Sequence, residues 1–181
     1  MAARVYITGA AGTGCTSLGR ALAERLGILH LDTDDFYWEP SDPPYTRKRP
    51  RAERLALIAA EQIGTGPDGG WVLSGSADGW GDVVLADANL IVFLSAPTPI
   101  RLARIRKREA ARFGERIKPG GDMVRVHRQF LDWAASYDEP YSSGRSLTRH
   151  RNWLAAQTAP VVELSGTIPV AEQLAAVMAA L

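Results

Sequence analysis

Three glycines fall within the stretch Thr8-Gly9-Ala10-Ala11-Gly12-Thr13-Gly14-Cys15-Thr16-Ser17, and that density suits one kind of chemistry. Without Cβ atoms the backbone can turn its N–H groups inward around an anion. A helix starting at the far end adds its positive N-terminus to the same point. The spacing meets the phosphate-loop pattern G-x-x-x-x-G-K-[ST] at Gly9, Gly14 and Thr16, with Cys15 in the lysine position. Gly9, Ala10, Ala11, Gly12, Thr13, Gly14, Cys15, Thr16 and Ser17 are therefore candidate nucleotide-phosphate ligands. The plainer reading is a tight strand–helix turn. A second cluster lies in Leu31-Asp32-Thr33-Asp34-Asp35-Phe36-Tyr37-Trp38. One carboxylate there can hold a divalent cation and another can take a proton from an attacking hydroxyl, although an Asp-rich helix cap would read the same way.

These residues need elements to hold them. Short apolar, β-branched runs at 4–8, 28–32, 71–74, 89–95 and 160–164 predict strands, and their mostly continuous apolar character suits a parallel sheet covered on both faces. Between them the spacing predicts helices over 16–26, 51–63, 100–113, 123–137 and 170–181, the first two ended by Gly27 and Gly64. The alternation predicts βαβ units in one doubly wound α/β domain over 1–181. In such a sheet the carboxyl ends of the strands line the ligand crevice, so the acids at 32–35 face the glycine loop. Pro40 to Pro50 reads as an exposed loop.

The glycine spacing also resembles the opening of the short-chain dehydrogenase fingerprint, with Asp32 about 20 residues on as a ribose-binding acid. Against it, the third glycine comes one residue early, and no Tyr is followed four residues later by Lys. The loop, then Leu18-Gly19-Arg20-Ala21-Leu22-Ala23, then the acid pair more closely resemble the small P-loop kinases, the group of adenylate, shikimate, gluconate and nucleoside kinases. Asp32-Thr33-Asp34 is similar to the D-x-D of shikimate kinases, and Asp34-Asp35-Phe36-Tyr37 to the D-x-F-Y of uridine kinases. The resemblance implies a five-stranded three-layer sandwich with an arginine-rich lid at about 109–125, and ATP (or GTP) with Mg2+. It implies Thr16 and Asp32 at the metal, Asp34 as the residue facing the acceptor, and Asp35, Tyr37, Trp38, Ser76 and Trp80 around the substrate. Arg101-Leu102-Ala103-Arg104-Ile105-Arg106-Lys107-Arg108 is similar to the arginine run that leads into kinase lids. That likeness implies Arg104 and Arg108 over the transferred phosphate, and Arg112 and Arg128 at the nucleotide. Gly166-Thr167-Ile168-Pro169 takes the position of the adenine-packing loop. Topology-modulation-type proteins share the overall arrangement.

The loop lysine of these kinases follows charge into the transition state, and Cys15 cannot do so. Three readings stand. A lid arginine, from among Arg104, Arg108, Arg112 and Arg128, supplies the charge. Alternatively the chain binds nucleotide without transferring phosphate, as a regulatory module. Or Cys15, at a helix N-terminus, is a reactive thiolate.

Composition frames these readings. The 181 residues carry 21 Lys+Arg against 20 Asp+Glu, which argues against a general polyanion binder and leaves no nucleic acid in the preferred reading. Only Lys48, Lys107 and Lys118 are lysines, and eight basic residues fall between 101 and 118. One cysteine and no long apolar stretch predict a cytoplasmic protein without disulfides or a membrane span. Tyr37, Trp38, Tyr45 and Trp80 cluster on the acceptor side, where they either stack a base, favouring a nucleoside or nucleotide acceptor, or pack a mobile helix. Arg47, Lys48, Arg49 and Arg51 either grip an acceptor anion or form a solvated charge run. Trp133, Tyr137, Tyr141 and Trp153 read as packing, His30 as a core or crevice residue, and His127 and His150 as isolated.

Overall fold

The apolar runs become five parallel strands: β1 (Arg4–Gly9), β2 (Leu29–Asp32), β3 (Trp71–Ser74), β4 (Leu90–Ser95) and β5 (Val161–Ser165). They lie in the order β2-β3-β1-β4-β5 in a computed structural model that describes residues 2–139 and 144–181. Tyr141 lies outside the described residues. β1 is central, pairing Ile7 with Ser74 of β3 on one side and with Val92 of β4 on the other.

Alternate residues of each strand face opposite layers. Val5, Ile7, Val72, Val92 and Leu94 pack against Leu18 and Leu22 of α1 (Cys15–Leu26) and Val177 of α8 (Val170–Ala180). On the other face Tyr6, Leu73, Ile91 and Phe93 meet Ile58 of α3 (Arg51–Gly64), Val84 and Leu85 of α4 (Asp82–Leu85), and Leu154 of α7 (Leu147–Ala155). The three-layer α/β sandwich is thus as expected. One detail differs: the edge strand β5 exposes Val161, Glu163 and Ser165 on one face, while Val162 and Leu164 on the other pack against the cluster with Val177 of α8.

The remaining helices frame the crevice at the carboxyl ends of the strands. The five-residue α2 (Thr33–Tyr37) follows β2 directly, capped by the Asp32 side chain, which accepts from the Asp34 N–H. α5 (Thr98–Phe113) carries the arginine run and lies beside α6 (Val124–Ala135), which ends in a tight turn over Ser136–Asp138 instead of continuing to 137 as a regular helix. Three elements escaped sequence reasoning. α2 and α4 are too short to show a period, and α7 is half charged, with Leu147 and Leu154 as its apolar anchors. Among the described residues no helix is long and apolar enough to cross a membrane.

Candidate functional site

The glycine loop closes on itself before α1 begins. The Thr13 N–H and hydroxyl both donate to the Ala10 carbonyl, at 3.2 and 2.8 Å. Gly14 then enters the helix with φ 109°, a conformation that would strain any residue with a Cβ, and open space surrounds the place a Cβ would take. The β5–α8 turn rests against the loop so closely that a Cβ on Gly166 would meet the Thr13 carbonyl oxygen at 2.3 Å. Arg104 ties the two together, donating to Gly166 O at 2.8 Å and, at 3.4 Å each, to Gly12 O and Thr13 O. A cavity of about 390 Å³ opens there, lined by Thr13, Gly14, Ser17, Arg104 and the turn Gly166-Thr167-Ile168-Pro169.

The acids assemble one strand away. The Thr16 hydroxyl donates to Asp32 Oδ2 at 2.8 Å, while Asp32 Oδ1 accepts from the Asp34 backbone at 3.0 Å. One carboxylate therefore bridges the first turn of α1 and the first turn of α2. Asp34 still reaches solvent, but the protein around it, together with the charge of Asp32, pushes its carboxyl above the ordinary range; Arg145 and Arg108 oppose that rise. Asp35 is raised for the same first two reasons, opposed by Arg20, His30 and Arg112. Among the described residues no group of three or more His, Cys, Asp or Glu could hold a metal ion alone. A hydroxyl and a carboxylate beside an anion loop instead fit Mg2+, which keeps water and shares phosphate oxygens with its protein ligands.

Cys15 has no part in this polar crevice. Its thiol is buried with Val5, Ile7 and Leu18 in the core, beside the Thr13 hydroxyl at 3.4 Å. Burial pushes it above the ordinary thiol range, although Thr13 and Arg145 oppose the rise. The reactive-thiolate reading is thereby corrected: desolvation outweighs the helix terminus.

The arginines separate by depth along α5. Arg101 is buried and spent on structure, donating to Ala96 O, Ala134 O, the Thr98 hydroxyl and Asp138. Arg108 is half exposed, pairs with Glu109, and acts on Asp34 through its charge. Arg112 lies two turns beyond Arg104, about 12 Å along the axis. It stacks over Tyr45 of the acceptor-side loop at 5.0 Å. Arg128 is exposed on α6. Arg116 ties the segment after α5 to the acceptor loop through Asp42, and also bonds Asp122.

The acceptor side is an interlocked aromatic cluster. Tyr37 meets Trp38 at 4.9 Å and Trp80 at 5.8 Å edge-on, Trp38 meets Tyr45 at 6.0 Å, and the Arg54 guanidinium covers one Tyr37 face at 3.8 Å. Much of this aromatic surface is occupied by packing. The nearby charge run is spent similarly, with Arg47 on Glu39 and Arg49 on Glu53 and the Phe36 and Trp38 carbonyls. The Ser76 N–H donates to the Thr33 hydroxyl oxygen at 3.0 Å, and its own hydroxyl donates to Asp78 at 2.9 Å.

Asp78 leads to a group of residues that sequence reasoning missed. It lies 3.0 Å from Nε2 of His150, which is fully buried and not isolated. The same His150 nitrogen lies 3.4 Å from the Thr8 hydroxyl, and its Nδ1 lies 2.6 Å from the Tyr137 hydroxyl. Burial alone would raise the Asp78 carboxyl; the hydrogen bond and charge of His150, with Arg145 and Ser76, outweigh it and hold Asp78 at about 2. Arg145, just ahead of α7, donates from Nη2 to the carbonyl of Gly9. The strand-end rule that found Asp32 and Ser76 would have reached Asp78 two residues later; no local signal marks Arg145 or His150.

Residues 5–118 match the family described as AAA domain. Over 173 residues the chain is 37% identical to the uncharacterized protein YqaC of Bacillus subtilis (strain 168), covering 96% of this chain and 94% of that protein. It is 26% identical over 114 residues to a cytidylate kinase of Pyrococcus horikoshii, covering 58% of this chain and 57% of the kinase. Among solved structures, a shikimate kinase from Acinetobacter baumannii in complex with shikimate is similar with TM-score 0.51 at 18% identity, covering 99% of this chain and 92% of that one. That last likeness bears on the fold alone, and the fold is the five-stranded parallel sandwich of the P-loop kinases.

Proposed function

Because this chain belongs to the AAA domain family and has the P-loop kinase fold, we propose that it transfers the γ-phosphoryl group of ATP or GTP to a small acceptor, a nucleoside or nucleotide. The observation that carries this reading is the 2.8 Å bond from Thr16 to Asp32, with Asp34 bonded to the same carboxylate. A glycine loop alone binds an anion. A loop whose first helical hydroxyl is joined to one acid, with a second acid two residues on, has the parts phosphoryl transfer needs.

The loop N–H groups of residues 9–17 would cradle the donor's phosphates, with its base and ribose in the cavity beside Gly166. Thr16 and Asp32 are the residues that would hold Mg2+, which when bound neutralises charge on the phosphates. Asp34 orients the acceptor and takes the proton its hydroxyl loses as the new P–O bond forms and the nucleoside diphosphate departs. A carboxylate held above its ordinary range is the stronger base for that task. The segment at about 109–125 serves as the lid: Arg108 approaches Asp34, while Arg112 and Arg116 reach the acceptor loop. Asp35, Tyr37, Trp38, Ser76 and Trp80 border the acceptor, and the likeness to a cytidylate kinase supports a nucleotide-type one.

The test is ATP turnover over a panel of nucleosides, nucleoside monophosphates, shikimate and gluconate, beside direct ATP binding. Transfer is expected to a nucleoside or its monophosphate, and Asp34→Asn should cut it by roughly 100-fold or more while ATP affinity changes only a few-fold. Tight ATP binding with no transfer to any acceptor would replace this reading with a nucleotide-binding module, and no ATP binding would end both.

A further inference from the structure

We infer that Arg145 is the cation of the phosphate loop, standing in from the far end of the chain for the lysine absent at position 15. This inference rests on the phosphotransferase reading and names the residue that completes its site. Neither the loop nor the arginine run of α5 accounts for the missing charge. The Cys15 side chain is turned into the core, and Arg104 commits its Nη1 to the carbonyl oxygens of Gly12, Thr13 and Gly166. Among the described residues Arg108 bonds Glu109 alone, and it lies half exposed. Arg145 alone among these places a guanidinium on the first glycine of the loop, through the Gly9 carbonyl.

Its remaining donors point to a ligand. A guanidinium has five N–H donors in a fixed fork. The Nε of Arg145 is buried and has no hydrogen-bond partner among the described residues, an arrangement that costs stability unless an acceptor arrives. A cation held against the first glycine of the loop, with an uncommitted buried donor, suits a polyphosphate oxygen.

The chain also fixes Arg145 in place. Ser146 caps α7 by accepting from the Arg149 N–H, and one turn later His150 is held by Thr8, the residue before Gly9. Asp78 and Tyr137 grip the same imidazole, and the Trp133 ring lies 5.8 Å from the Arg145 guanidinium. The start of α7 is therefore docked onto the root of the phosphate loop. Pre-positioned charge of this kind needs no reorganisation when the transition state forms.

The test uses the full chain, with inorganic tripolyphosphate as a probe beside ATP. Arg145→Gln should weaken tripolyphosphate binding by roughly 10-fold or more and lower turnover by about 100–1000-fold, whereas Arg145→Lys should retain much of both. Arg104→Gln serves as the comparator and should affect tripolyphosphate less. If Arg145→Gln does not fold, wild-type protein decides: tripolyphosphate should shield Arg145 from phenylglyoxal, read by peptide mapping, and equal labelling with and without it would overturn the assignment. Wild-type affinity and turnover in a folded Arg145→Gln would overturn it too. Should the wild type bind ATP and tripolyphosphate yet transfer to no acceptor, the phosphotransferase reading falls, while a drop in tripolyphosphate affinity on Arg145→Gln still upholds Arg145. A wild type that binds neither ligand removes both.

Discussion

Replacing His150 by Phe separates the buried polar network from the packing around it. Phe fills much the same space and keeps an aromatic ring against Phe93, whose centroid lies 5.6 Å from the imidazole. It deletes the contacts to Asp78 at 3.0 Å, Tyr137 at 2.6 Å and Thr8 at 3.4 Å. Asp78, with a side chain only 14% exposed, then keeps Ser76 at 2.9 Å and Tyr6 at 3.5 Å. Removing the partner of a buried charge typically costs about 3–5 kcal/mol. At about 2–4 °C per kcal/mol for a chain of this length, the melting temperature should fall by roughly 6–20 °C. The acid limb adds a signature. Holding the Asp78 carboxyl at about 2 against the ordinary 3.8 corresponds to ~2 kcal/mol. Because the folded value is depressed, that stability is complete above the unfolded value and is lost as pH falls through about 4 to about 2. His150→Phe should flatten this part of the curve, and Asp78→Asn added to it should recover part of the loss, because the uncompensated charge is gone. Urea unfolding of the four proteins of the cycle, at neutral and acid pH, measures all of this. A His150→Phe protein within about 1 kcal/mol of wild type, or single effects that simply add, would refute the argument.

Arg101→Met should destabilise the fold by about 3 kcal/mol or more, because the fully buried guanidinium satisfies the Ala96 and Ala134 carbonyls together with Thr98 and Asp138; denaturant unfolding measures this, and specific turnover of the folded fraction should stay near wild type. Cys15 should resist a thiol reagent at mildly alkaline pH equally with and without ATP and react fully only in denaturant, since it is buried and its acidity suppressed; rapid native labelling would contradict that placement.

The sheet was legible because each strand is its own apolar run: Val5, Ile7, Val72, Val92 and Leu94 had to be buried somewhere, and parallel pairing buries both faces. The loop and the Thr16–Asp32 contact were legible for a related reason, since strand–loop–helix connectivity puts those residues at one end of the sheet whatever else the chain does. Sequence proximity in a helix says little about reach. Two turns past Arg104, the same α5 has left the phosphate loop for Tyr45. For Tyr37 and Trp80 the choice between stacking and packing stayed open in the sequence, because nothing there says that Arg54, near the start of α3, packs against both.

Arg145 and His150 were invisible for a different reason, and it bears on how the site works. A lysine at position 15 would be positioned by the loop that uses it. Moving the charge to Arg145 makes the loop depend on where α7 docks, and that docking rests on His150, Asp78 and Tyr137. Stability and phosphate binding are then carried by neighbouring residues with separable roles. Arg145 donates to a loop carbonyl and leaves its buried Nε uncommitted, so its loss should register in ligand binding more than in folding. His150 is fully committed, so its loss should register in folding first and in binding only through the displaced Arg145. If both substitutions lowered stability and binding in the same proportion, the arginine would be one more stitch in the fold, and the loop would have no cation of its own.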